Sequence, residues 1–222
     1  MGNRLVFLIT CAFILLVSCF LPAVDLSLNS EGVEHAIQYG RQFNTSYDVV
    51  WDLQKQGYQK IMGGWWVDRA VFLITDHVRV AVKAAEMQRR GEKLDVGQIE
   101  AKLVKKLDVL VLYSSEDSED IPKKPVVSIM HPGGRLYAEG AEHMLVLSAC
   151  QVMRRDGGIS KPFFVDYSDF CNAMYGRSSS STEMWLFRFS LPKEYWNSEI
   201  EVLSAEDWGK IARKKFDLSR LR

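Results

Sequence analysis

The hydrophobic period of this chain switches near Leu107 from about 3.6 to about 2, so one sequence has to build two kinds of secondary structure in succession. Before the switch, apolar residues recur at helical spacing. Val33, Ala36, Ile37, Gly40 and Phe43 mark one short helix, and Thr45-Ser46-Tyr47-Asp48 reads as a capping box for a second that carries Val50, Trp51 and Gln54. Beyond Gly57 and the Gly63-Gly64 breaker, two adjacent seams predict a longer helix from about Trp66 to Arg90. One seam is Val67, Val71, Ile74, Val78, Ala81 and Ala85; the other starts at Trp66 and includes His77. On this reading Asp76, Arg79, Lys83, Glu86 and Arg90 line the solvent side. Asp95, with Gln98 three residues on, caps a last helix carrying Ile99, Leu103 and Leu107.

From Asp108 onward, short β runs alternate with turn residues. The expected strands are Val109–Tyr113, Val126–Met130, Leu136–Glu139, Met144–Val152, Pro162–Asp166, Met184–Leu191, Ile200–Leu203 and Lys210–Phe216. Pro132-Gly133-Gly134 and Asp156-Gly157-Gly158 supply tight turns. The pattern predicts an α+β fold: a helical part at 30–107, then an antiparallel β-sandwich-like part of about eight short strands at 108–222. No Pro/Gly linker separates the parts, so they are expected to pack together.

Composition excludes some functions. The chain is 47% hydrophobic, enough for a sizeable core, and its 28 basic and 28 acidic side chains cancel. A dedicated nucleic-acid binder needs an excess of clustered cations to displace phosphate counterions, so no nucleic acid is expected as a partner.

The N-terminus carries an address. Met1-Gly2-Asn3-Arg4 is followed by an uncharged, almost wholly apolar run from Leu5 to Val17, which is a secretory n-region and h-region. The run ends in Leu16-Val17-Ser18-Cys19, which resembles the lipobox of bacterial lipoproteins. The resemblance covers residues 1–19 and implies removal of a signal peptide (1–18) and acylation of Cys19. It leaves a lipidated tether at 19–29 and a mature chain of 222 − 18 = 204 residues. Acyl chains contribute about 0.8 kcal/mol per buried CH₂, which implies stable anchoring in the cell envelope. Phe20, where Asp would favour inner-membrane retention, implies the periplasmic face of an outer membrane. Two alternatives stay open: cleavage after Leu21-Pro22-Ala23, which puts a bulky Leu where a small residue is preferred, and an uncleaved anchor over Leu5–Val24, weakened by Pro22. Val6 breaks the myristoylation pattern.

Few residues point to chemistry. With Cys11 in the leader and Cys19 lipidated, Cys150 and Cys171 are left as a candidate disulfide. Its loop closure would contribute about 3 kcal/mol in an oxidising compartment, against the alternative of two separate buried thiols. His131 and His143 are the candidates for zinc, with Glu139 or Glu142, but neither sits in a metal-ligand spacing, and loop histidines are the simpler reading. His77 reads as a core histidine. No nucleophile elbow, phosphate-binding loop or dinucleotide fingerprint is present, so no catalytic residue and no cofactor is assigned. Trp51 and Trp66 fall on core-facing positions, which leaves Trp65 as the aromatic available to stack on a sugar. The sequence therefore points to a cell-envelope lipoprotein with a non-enzymatic role, presenting an interaction surface to another envelope protein. The alternatives are an enzyme or accessory acting on cell-wall glycan or peptide, and a glycan-binding module.

Overall fold

The computed structural model describes residues 28–62, 68–115, 118–121, 123–147, 151–155, 159, 165–174, 181–205 and 211–221. The fold is α+β, with two antiparallel sheets and most of the helices toward the N-terminus. Helices α1 (Ser30–Gly40) and α2 (Ser46–Leu53) form where the apolar spacing places them, and the Thr45 side chain accepts from the Asp48 N–H at the start of α2. Val33, Ala36 and Ile37 are buried on α1, and Val49, Val50 and Leu53 on α2. Strand β1 (Gln59–Met62) follows, paired antiparallel with β2 (Asp68–Ile74).

The expected helix from Trp66 to Arg90 is corrected here. Its N-terminal third is β2, and the helix proper, α3, runs only from Asp76 to Arg89. Residues 70–74 are Ala-Val-Phe-Leu-Ile, 0–7% exposed, and a run buried on both faces carries no period that separates strand from helix. Thr75 starts α3: its side chain accepts from the Val78 N–H at 3.3 Å. The predicted solvent side also changes, since Asp76 and Arg79 are buried at 1% and 2% exposure. Gly40 lets α1 cross α3 closely, because a Cβ there would lie 2.1 Å from the Ala81 carbonyl oxygen. Asp95 caps α4 (Val96–Glu100) by accepting from the Gln98 N–H, but α4 is shorter than expected. Leu107 opens a strand instead.

That strand, β3 (Leu107–Ser115), is buried along almost its whole length and joins the two halves of the sequence. It pairs with β2 on one side and with β8 (Ser181–Phe189) on the other. Strands β6 (Gly140–Val146) and β7 (Val152–Arg154) complete a six-stranded sheet in the order β1-β2-β3-β8-β6-β7. The segment expected to be wholly helical thus contributes two strands, and the period change near Leu107 runs through one sheet. The single strand expected over Met144–Val152 is an antiparallel pair, β6 and β7, with Leu145 opposite Met153. Most of the strand expected at Pro162–Asp166 lies outside the described residues. Its last residues lead into an unanticipated helix, α5 (Ser168–Met174), where Asp166 accepts from the Ser168 N–H.

The second sheet has the order β10-β9-β4-β5, built from β4 (Val126–His131), β5 (Gly134–Tyr137), β9 (Glu199–Ala205) and β10 (Ile211–Asp217). The Pro132-Gly133 turn joins β4 to β5, and a Cβ on Gly133 would lie 2.2 Å from the Tyr195 hydroxyl. The molecule has three layers. Helices α2, α3 and α5 cover one face of the six-stranded sheet, as in the edge-on contact of Phe72 with Phe170 at 5.1 Å. The four-stranded sheet covers the other, where Tyr113 and Ser204 share a hydroxyl hydrogen bond of 3.0 Å and Arg69 donates to the Ser204 carbonyl. Val127, Ile129, Ile200, Val202 and Phe216 fill the space between the sheets. Among the described residues no helix is long and apolar enough to cross a membrane.

Candidate interaction face and the buried charges

The densest group of ionisable side chains lies on the helix side of the six-stranded sheet. Strand register sets Asp108 on β3 opposite Arg188 on β8, and the carboxylate accepts from Arg188 Nε and Nη2, both at 2.8 Å. Arg79 comes down from α3 to the same carboxylate at 2.6 Å and also meets Asp76 at 2.8 Å. Asp76 in turn accepts from the Val104 and Lys105 N–H groups at 3.1 and 2.7 Å, which fixes the loop that delivers the chain to β3. Burial raises the Asp108 carboxyl, but the Arg79 and Arg188 guanidiniums outweigh it and hold the group below the usual carboxylate range. Burial, and then the Asp108 charge, raises the neighbouring Tyr167 phenol. With every carboxylate oxygen matched to a donor and Asp76, Arg79 and Asp108 almost wholly withdrawn from solvent, this network positions α3 on the sheet.

Among the described residues, the sequence-derived candidates His131 and His143 lie in different sheets and do not come together. His131 ends β4 in the second sheet, where its Nδ1 accepts from the Gly133 N–H at 3.0 Å and its ring packs on Tyr195. His143 is on β6 in the first sheet, stacked on Trp185 with ring centroids 4.5 Å apart and bonded to Glu183 at 2.8 Å. Glu139 pairs with Lys106, and the fully buried Glu142 with Arg154. No group of three or more His, Cys, Asp or Glu side chains suited to a metal ion occurs among the described residues. Cys171 is buried on α5, whereas Cys150, Cys19, Trp65 and Trp66 lie outside the described residues. His77 is buried, its ring against Tyr39. Trp51 corrects its assignment to the core: it is 43% exposed, because the buried stripe of α2 is Val49, Val50 and Leu53.

The outer face of the four-stranded sheet differs in character. Side chains that alternate away from the core on β4, β5, β9 and β10 share this face. Register places Ile211, Ala205 and Val126 side by side across three strands, with Arg213, Leu203, Ser128 and Tyr137 in the next row. Ile211, Val126 and Tyr137 are 44%, 55% and 65% exposed. Lys215, Glu201, Met130 and Arg135 form the third row, so a charged margin borders the apolar part.

Comparison with protein-family models, with curated proteins and with solved structures gives no match to this chain.

Proposed function

We propose that this protein is a lipid-anchored, non-enzymatic component of the cell envelope that presents the outer face of its four-stranded sheet to another envelope protein. The observation that supports this reading is the in-register row of Ile211, Ala205 and Val126 with Tyr137 in the row beside it, accessible around the buried Leu203 on a sheet whose opposite face packs against the core. Contiguous exposed apolar surface within a polar margin is the composition of a protein contact, and tyrosine and arginine are enriched at the centres of such contacts. Tyr137 with Arg135 and Arg213 fits a partner surface that offers carboxylates around an apolar centre. Anchoring through Cys19 follows from the lipobox resemblance.

The test is a photo-crosslinking amino acid placed in cells at position 137, with position 88 on α3 as the control. A discrete adduct from 137, lost on Ile211→Asp and not seen from 88, supports the reading; no adduct, or the same adduct from both positions, overturns it. Anchoring is tested separately by phase partitioning, where Cys19→Ser should move the protein out of the detergent phase. Unchanged partitioning would reject the lipid anchor.

A further inference from the structure

The exposed aromatic side chains of α2 border a second surface feature, independent of the sheet face. Tyr47 and Trp51, four residues apart, stack with ring centroids 6.3 Å apart and planes inclined by 20°, and the Lys55 ammonium lies 5.6 Å from the Trp51 centroid. This ladder places Tyr47 at the rim of a cleft of about 490 Å³ where the starts of α2 and α5 meet the end of α3. The cleft falls in the size range of small-molecule sites, about 300–1,000 Å³, but it is not lined like one, because such sites are mainly apolar. Hydroxyls, carboxylates and guanidiniums share its wall with apolar atoms, the polar groups including those of Ser46, Glu86, Arg89, Asp166 and Asp169.

The carboxylates among them are tied to neighbouring groups, and Arg89 is exposed. Ser46 donates to Asp169, Glu86 is gripped by Lys83 at 2.7 Å and Arg90 at 2.6 Å, and Asp166 accepts from the Ser168 N–H. A wall that offers both donors and acceptors suits a ligand whose every polar group is itself donor and acceptor, which describes a sugar hydroxyl. The arginines set among the carboxylates make a small bare cation a poor fit. An all-equatorial pyranose adds a flat C–H face that packs on an aromatic ring while its edge hydroxyls reach planar side chains.

We infer that the cleft between α2, α3 and α5 binds a neutral β-linked oligosaccharide, with Tyr47 as the stacking surface and Arg89 and Asp169 as hydrogen-bonding groups. The inference rests neither on the lipid anchor nor on the outer sheet face.

The experiment is calorimetric titration of the detergent-solubilised full-length protein with chitotetraose, cellotetraose and spermidine. Saturable binding of one of the oligosaccharides is expected, weakened at least tenfold by Tyr47→Ala and by Arg89→Ala. The crosslink from position 137 should be unaffected by either change. Both side chains are at the surface, and thermal melts of the variants establish that they are folded; Trp51→Ala, which removes the support behind Tyr47, should weaken binding by less. Failure of both oligosaccharides to saturate, equal affinity in the wild type and the Tyr47 and Arg89 variants, or saturation by spermidine alone would overturn the inference.

Discussion

The two sheets of this molecule are built from similar residues and used differently. The six-stranded sheet is covered by helices on one face and by the second sheet on the other, so β3 is buried almost end to end and has admitted charge only where charge is matched. The four-stranded sheet is covered on one face. On β10 the pattern reads exposed or half-exposed from Ile211 to Lys215 before Phe216 is buried. Coverage therefore decides what a side chain does: the same strand geometry makes Arg188 a structural ion and Arg213 a surface group.

The largest effect that would break this contrast is at Asp108. Asp108→Ala leaves Arg79 and Arg188 buried without their shared carboxylate, and removal of one partner from a buried ion pair costs about 3–5 kcal/mol. Urea unfolding should show a loss of that order, and a loss below about 1 kcal/mol would mean that the network does not position α3. Because the folded carboxyl titrates below its unfolded value, its contribution is complete above that unfolded value, about pH 4, and is lost as pH falls through the lower folded value. Asp108→Asn should therefore remove part of the acid-induced loss of stability seen in the wild type.

An intermediate effect is expected at the helix crossing. Gly40→Ala brings a Cβ within 2.1 Å of the Ala81 carbonyl oxygen and 2.9 Å of the Ala84 Cβ, so α1 and α3 must separate. Overpacking of this kind costs about 1–3 kcal/mol, read as a lower urea midpoint at unchanged slope. The smallest effect sharpens the other side of the comparison. Val126→Thr, Tyr137→Thr and Ile211→Thr keep β propensity and remove exposed apolar surface, so each should change stability by no more than about 0.5 kcal/mol. A loss of 2 kcal/mol or more at any of them would show that the outer face is part of the core.

Local signals in the sequence were sound where short-range chemistry decides the outcome. Thr45 and Asp95 cap the helices they precede, and the strands around Val109, Val126, Met184 and Ile200 lie within a few residues of their expected bounds. The period argument failed where burial is two-sided. Along Ala70–Ile74 every residue is apolar whichever way it points, so β-branching and the capping pattern at Thr75 were the better evidence for a strand followed by a helix. Trp51 shows the converse error, a residue assigned inward from helical spacing while the buried stripe runs through Val49, Val50 and Leu53. The Asp108 network was partly legible. Asp108 leads into Val-Leu-Val-Leu, Arg188 interrupts Trp-Leu-Phe and Phe, and Arg79 sits between valines, three lone charges in runs otherwise set for burial. What a single sequence does not carry is the register that brings residues 79, 108 and 188 to one point.

The same pairing of β3 with β8 has a kinetic consequence. It joins Ser115 to Ser181 and Leu107 to Phe189, separations of 66 and 82 residues, and β6 and β7 attach to the sheet only through β8. Closing loops of that length precedes any gain from the contacts, which places this topology toward the slow end of folding rates for its size. During synthesis β3 can pair with the earlier β2, but its other edge waits unsatisfied until residue 189 has emerged, so the sheet stays open through most of translation. Until that edge is covered, the Val109–Tyr113 run is exposed to edge-to-edge aggregation.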